Sequence, residues 1–391
     1  MTSTAANPHE TLAHLRQSSP AHQIPIGPTA VGWLITRYAD VKRALNDPRL
    51  SKQALSQRTN GGSPFPVDVR KAMSEHMLNF DPPEHTRLRR LVSASFTARR
   101  VEALRPRIEQ LTDDLLAGLA GRDTVDLIDD FAFPLPFTVI CELIGVPEID
   151  REAFRGWSNT MVAGPAAPPE QMYQAVAATA DYVADLIGRK RAEPDDALLS
   201  SLIQASDAGE GLTADELSSV VFLLLLAGHE TTVNLIGNAV YVLLQRPSMA
   251  ADLRADPTLV PDAIEEILRY ESPVKSSTLR LTTEPVTYGD ITIPADEIVI
   301  ISLLSANRDG DAFIAADEFD PTRTDAGGHV AFGHGIHYCL GAPLARLESQ
   351  IAVSALLRRF PDLRSAVPLD ELDWRPGILM HGVTRLPVTL R

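Results

Sequence analysis

From about residue 39 to residue 270 apolar positions return every three to four residues, the spacing that gives a helix one buried stripe. This periodicity predicts helices over 40–46, 84–96, 99–119, 137–143, 151–163 and 170–191, and a further one over 342–360. The clearest run is 213–246. Thr213 and Glu216 fit the S/T-x-x-E capping box at its start, and Pro247 marks its stop. At ~1.5 Å per residue this run would span about 50 Å. A helix so long and so apolar is expected to cross the centre of one large domain, so 1–391 is read as a single domain. Other stretches alternate instead. Residues 24–38, around Gly27 and Gly32, and 279–303, with Gly289-Asp290 as a two-residue hairpin turn, read as strands, and 376–391 as a further β-rich part. The proline- and glycine-bearing segment 64–80 and the stretch 305–335 read as irregular. The joint 164–169 reads either as a lid hinge or as a plain helix connector. The expected fold class is mainly α with a smaller β portion.

Composition narrows the function. Hydrophobic residues make up 45% and charged residues 22%, as in ordinary globular chains. A net charge of −15 argues against nucleic acid, which needs cations clustered over a whole face. One basic block runs against that balance: Arg87, Arg89, Arg90, Arg99, Arg100, Arg105 and Arg107. The most apolar run, 220–228, falls far short of the ~20 residues a membrane helix needs, so a buried helix is expected there. The polar start, 1–10, lacks the apolar region of a secretory signal, and a cytoplasmic protein is expected.

The chain has 2 cysteines, too few for a disulfide framework or an all-cysteine zinc site. Cys141, inside Thr138-Val139-Ile140-Cys141-Glu142-Leu143, reads as a packed small hydrophobe. Cys339 follows a loop with Gly333 and Gly335 and precedes Gly341 and a helix. Such a backbone can adopt positive φ and approach a flat partner, and a helix N-terminus favours a thiolate. Four readings fit the residues: a structural thiol, a nucleophile with His334 or His337 as base, a zinc site on those histidines that lacks a fourth ligand, and a heme iron held by one sulfur. With no C-x-x-C-H, a heme would be bound non-covalently.

The string Phe332-Gly333-x-Gly335-x-His337-x-Cys339-x-Gly341 resembles the heme-binding loop of the cytochrome P450 family, the heme-thiolate monooxygenases. Other motifs follow the family's order. Ala227-Gly228-His229-Glu230-Thr231-Thr232 resembles its oxygen-activation segment, where Gly228 lets a helix approach a ring and an acid beside an alcohol can relay protons. Glu266-Ile267-Leu268-Arg269 resembles its structural ion pair, with i and i+3 on one helix face. The coil from Ala306 to Pro321 resembles the segment before the cysteine loop. His85 and Arg89, at i and i+4, together with Arg280 and His337, match residues that hold the heme propionates.

The resemblance covers essentially the whole chain and implies the P450 fold, with the long helix over a buried heme. It implies Cys339 as axial ligand of heme b, Phe332, Gly333, Ala227 and Gly228 against the cofactor, and no metal besides the heme iron. Glu230 and Thr231 would deliver protons, and the thiolate would push electron density toward O–O cleavage. O₂ is the co-substrate. With no flavin or iron–sulfur domain in the chain, a ferredoxin and ferredoxin reductase are implied as electron donors, and part of the arginine block is expected to dock the ferredoxin. Leu224, Ala227 and Val274 are expected to line the cavity for a lipophilic substrate to be hydroxylated or epoxidised. The segment 227–244 is most similar to actinobacterial members that tailor macrolides and polyketides. A monomer that binds neither nucleic acid nor membrane is expected. A peroxide-driven peroxygenase, a heme-thiolate isomerase and a heme-based binding or sensor protein are the alternatives. The acid–alcohol pair counts weakly against the first two, and the missing output domain against the last.

Overall fold

The computed structural model describes residues 8–26, 30–60, 65–93, 96–163, 167–207 and 211–391. The chain divides into two compact units, each gathered from separated stretches. The first comprises Met1–Ser51, Val101–Leu135 and Thr231–Arg391, and the second Lys52–Arg100 and Pro136–Glu230.

All the strands among the described residues belong to the first unit. They are β1 (Ala21–Pro25), β2 (Val31–Ile35), β3 (Leu50–Ser51), β4 (Thr124–Asp126), β5 (Arg280–Thr282), β6 (Val286–Tyr288), β7 (Ile291–Ile293), β8 (Ile298–Ile301), β9 (Arg364–Ser365) and β10 (Pro387–Thr389). The main sheet runs β1-β2-β8-β5-β3. Its centre is the parallel pair of β2 and β8, with Trp33 opposite Val299 and Ile35 opposite Ile301. β8 reads Ile-Val-Ile-Ile because a central strand is covered on both faces. A core of Ile35, Val41, Leu45, Val299 and Ile301 fixes the sheet against the Tyr38–Asn46 helix. The hairpin of β6 and β7 turns at Gly289, whose φ of 57° is the left-handed conformation that such a turn requires.

A second core in this unit positions the cysteine loop. Leu235, Ala239 and Leu243 of the Glu230–Leu244 helix meet Ile264, Ile267 and Leu268 of Val260–Tyr270 and Val353 and Leu357 of Ala342–Arg359, and Phe332 packs on this cluster. Each fully buried leucine or isoleucine contributes ~1.5–3 kcal/mol by leaving water, and Phe332 ties the loop to this core.

The second unit is helical. Ala214–Ala227 packs on Val67–Ser74 and Pro169–Ala192, and Pro169–Ala192 on Arg151–Ala163.

The structure corrects several expectations. The 213–246 run is not one helix: it stops at Ala227 and resumes at Glu230, with Gly228 and His229 between. The capping box is present, with Thr213 accepting from the Glu216 N–H and Glu216 accepting from the Thr213 N–H. Taken together, Ala214–Leu244 is long and apolar enough to cross a membrane, although 67% of its most apolar stretch is buried inside the protein. The irregular 64–80 segment holds a helix, Val67–Ser74, and a 3-10 turn, Met77–Asn79. Its prolines precede the helix, where a missing N–H costs nothing. The predicted 99–119 helix is split at Leu104 into Ala98–Ala103 and Arg105–Leu119, with Pro106 in the first turn of the second. Helices at Lys52–Asn60 and Leu198–Ala205 went unpredicted. Beyond residue 376 only β10 and two isolated bridges are strand-like. Gly27, Gly61, Gly62, Pro64 and the 164–166 part of the hinge candidate lie outside the described residues.

Candidate functional site

In the first unit, Phe332 to Gly341 form an open loop ahead of the Ala342–Arg359 helix. Gly333 and Gly335 take φ of 76° and 74°, and a Cβ on Gly335 would run into the Asn46 side chain. These turns, with the Cys339 N–H donating to the Phe332 carbonyl at 2.9 Å, bring the cysteine back toward the loop's start and leave it solvent-exposed. Gly341 lies beside the sulfur: a Cβ there would stand 4.0 Å from Sγ. His337 is half-buried in the same loop. His334, which the sequence offered as base or zinc ligand, is held below its ordinary pKa by burial and by Lys42.

A charged brace that sequence reasoning missed holds this loop. Arg346 donates from Nε and Nη2 to the Glu265 carboxylate at 2.6 and 2.9 Å, and His329 reaches the same carboxylate at 3.2 Å. The Arg346 guanidinium lies 4.5 Å from the centroid of the Phe332 ring, and its Nη1 donates to the Tyr338 hydroxyl at 3.3 Å. Burial pushes the Glu265 carboxyl up, but hydrogen bonds from His329 and Arg346 outweigh it and bring its pKa down to about 2. The available signal was a second glutamate directly before Glu266 and an arginine in the first turns of the helix after Cys339.

Glu266 and Arg269 are both 0% exposed. Arg269 Nε donates to Glu266 Oε2 at 2.7 Å and Nη2 to Oε1 at 2.8 Å. The other donors reach the carbonyls of Asn307, Ala316 and Glu318, and Glu266 also accepts from Arg323 Nε and the Asp320 N–H. A buried pair survives desolvation only when its remaining protons and lone pairs are satisfied, as they are here. The pair thereby ties down the coil between residues 307 and 323.

The second unit carries most of the other candidates, while Thr231, Arg280 and Val274 belong to the first. Leu225 and His229 are buried, Leu224 is half-buried, and Ala227 between them is exposed. Gly228 is required by the packing: a Cβ would lie 2.5 Å from the Leu224 oxygen and 2.8 Å from Ile140 Cδ1. The interruption thus falls before Thr231, which sits inside the resumed helix, and Glu230, at its first position, is 1% exposed. His85 (3% exposed) and Arg89 (half-buried) lie on one face of Glu84–Ser93. Arg280, on β5 of the first unit, is 3% exposed, and Val274 packs against the sheet core. Cys141 is confirmed as core: it is 0% exposed, and burial pushes its thiol up to about 12.

The family model for Cytochrome P450 matches residues 167–381. Cytochrome P450 107B1 of Saccharopolyspora erythraea is 54% identical, over 98% of this chain and 95% of its own. The chain belongs to the cytochrome P450 family. It is therefore an enzyme of the P450 monooxygenase class, with the family's heme iron, O₂, redox partners and small-molecule substrates. The Vitamin D(3) 25-hydroxylase of Pseudonocardia autotrophica is 48% identical, over 98% of this chain and 94% of its own. The solved structure of the tirandamycin C-bound P450 monooxygenase TamI superposes with a TM-score of 0.91 at 45% identity, covering 98% of both chains. The fold is thus the P450 fold.

The residues present fit a P450 heme. An exposed sulfur in a glycine loop can ligate iron, an exposed alanine on an apolar helix offers a flat approach, and buried His85 and Arg280 supply donors of the kind that carboxylates need. The Arg280 Nη1 reaches the carbonyls of Ala44 and Leu50 at 3.4 and 3.5 Å, long for a charged donor.

Among the described residues, one other cluster has ligand-type atoms. His9, Glu271 and His381 converge, with Glu271 Oε1 3.0 Å from His9 Nε2 and 2.5 Å from His381 Nε2. The Arg308 guanidinium stands 3.3 Å from both Glu271 Oε2 and His9 Nε2 and supplies the positive charge there. Burial raises the Glu271 carboxyl, and the two histidines more than reverse it. The arginine block is partly spent on neighbours: Arg87 pairs with Glu216, and Arg105 with Glu102 at 2.5 Å.

Proposed function

We propose that this enzyme hydroxylates or epoxidises a lipophilic natural product of the macrolide or polyketide type. Relatives named 6-deoxyerythronolide B hydroxylase, of Saccharopolyspora erythraea, and polyketide biosynthesis cytochrome P450 PksS, of Bacillus subtilis, support that substrate class at 43% and 41% identity. The observation that carries the reading is the exposed Cys339 in its braced glycine loop. Cys339 would hold the iron of heme b, which would supply the oxygen activation. Phe332, Gly333, Ala227 and Gly228 would lie against the cofactor, and His85, Arg89, Arg280 and His337 would hold its propionates. Glu230 and Thr231 would move protons from solvent into the site. Leu224, Ala227 and Val274 line the substrate cavity and keep it dry. Glu266 and Arg269 do no chemistry and hold the coil ahead of the cysteine loop. Electrons come from a ferredoxin and its reductase, with Arg90, Arg99 and Arg100, exposed members of the arginine block, on the docking face. The protein works as a cytoplasmic monomer, and its two units act as one domain.

The reduced, CO-bound spectrum tests this reading. A strongly red-shifted Soret band is expected and should vanish in Cys339→His. Fresh protein without that band would overturn it. Spin-state shifts on adding candidate macrolides would then identify the substrate.

A further inference from the structure

His229 stands between the glycine and the acid of the proposed relay, yet the relay gives it no task. A polar ring that is 0% exposed must have its nitrogens satisfied, and both are. Nδ1 lies 2.9 Å from the Leu225 carbonyl, and Nε2 lies 3.0 Å from the Ser158 hydroxyl, itself 0% exposed. A carbonyl can only accept, so Nδ1 carries the proton. Full burial favours the uncharged ring, in which Nε2 accepts from Ser158 Oγ–H. The Leu225 oxygen is the acceptor, four residues back, of an unbroken helical ladder. The imidazole therefore binds the last turn of Ala214–Ala227 where the helix is interrupted. The ring is gripped from one further side. Phe137 meets it edge-on at 5.4 Å and 83°, and Phe137 in turn stacks on Phe154 at 5.7 Å. Phe154 and Ser158 are one turn apart on Arg151–Ala163, so that helix holds His229 twice, directly and through Phe137.

We propose that His229, fixed in one tautomer by the Leu225 carbonyl and anchored by Ser158, is the positioning residue of this enzyme's oxygen-activation turn. It holds the interruption at Gly228–His229 in one geometry and thereby sets where Glu230 and Thr231 stand. It also makes the relay sensitive to the position of the Arg151–Ala163 helix. This inference rests on Glu230 and Thr231 being the relay.

The test uses the heme-loaded protein with NADPH, O₂, and a plant-type ferredoxin and its reductase as surrogate donors. Two quantities are read: H₂O₂ released per NADPH consumed, and amide hydrogen exchange over residues 225–232. Loss of one buried hydrogen bond corresponds to roughly a fivefold change in a local equilibrium. Ser158→Ala should keep the thiolate–CO band, speed exchange across 225–232 on the order of fivefold and raise the peroxide yield. His229→Phe should do more. His229→Asn, which keeps a donor near the Leu225 oxygen, should recover part of the loss. Wild-type exchange and wild-type peroxide yield in both Ser158→Ala and His229→Phe would overturn the proposal. Faster exchange with an unchanged peroxide yield would also overturn it, by reducing His229 to a structural prop. Thr231→Ala separates the two layers. If it raises peroxide while Ser158→Ala and His229→Phe do not, the relay stands and the positioning role falls. If Thr231→Ala itself changes nothing, the relay falls and the positioning role with it.

Discussion

The cysteine loop and the Gly228–His229 turn both depart from regular backbone, and they are held by different kinds of bond. Around the loop the holding groups are charged and multiply bonded: Glu265 with Arg346 and His329, and Glu266 with Arg269 and Arg323. Around the turn they are neutral, a single imidazole with one hydroxyl and one carbonyl, beside a glycine pressed on Ile140. Charged networks in a desolvated setting tolerate little displacement, because any lost partner strands a charge. A neutral hydrogen bond gives way at a fraction of that cost. Under the proposed function, the contrast suits a loop that presents one sulfur in one place and a turn that lets protons pass.

Removing one member of each arrangement separates them. The largest effect is expected from Arg269→Ala, which leaves Glu266 charged and fully buried. A loss of ~3–5 kcal/mol should appear in urea unfolding, with poor recovery of heme-loaded protein. Stability within ~1 kcal/mol of wild type would mean the charged side is no more rigid than the neutral one. Gly228→Ala comes next. Its Cβ would press on the Leu224 carbonyl and Ile140, for a cost of ~1–3 kcal/mol, and amide exchange should quicken around residues 225–232 while the Cys339 loop keeps its protection. Equal loosening of both regions would erase the distinction. The smallest effect is expected for Glu265→Gln, ~1 kcal/mol at pH 7, since this carboxylate retains some solvent. Its pKa is depressed to about 2, so its stabilisation is present above the unfolded carboxylate range near ~4.3 and is lost as pH falls toward about 2. The gap between wild type and Glu265→Gln should therefore close across that window in acid-unfolding curves. A gap that persists below it would assign the effect to packing.

Much of the proposed site is legible because its chemistry is written in short strings. The loop from Phe332 to Gly341, the Glu266–Arg269 spacing and the Thr213–Glu216 box can each be read in one place, since residues three or four apart on a helix meet whatever surrounds them. The helix interruption was less legible. Its apolar periodicity continues through Gly228, and only the crowding by Ile140 and the capture of the Leu225 carbonyl by His229 show why the helix stops. The 64–80 segment misled for the opposite reason: its prolines read as breakers, yet Pro66 stands at the N-cap position of a helix that is packed by Ala214–Ala227.

The sequence alone determined the family and the balance of helix over strand, and it singled out Cys339, Glu230 and Thr231 as candidates. Those depend on residue type and local spacing, which the chain carries openly. Tertiary structure alone decided that Arg346 and Glu265 brace the loop, that Arg323 joins the Glu266–Arg269 pair, that Ser158 fixes the ring of His229, and that every described strand belongs to one of the two units. These partners lie tens of residues apart. Only burial, which makes an unsatisfied charge or ring nitrogen expensive, selects among the many pairings that the sequence would allow.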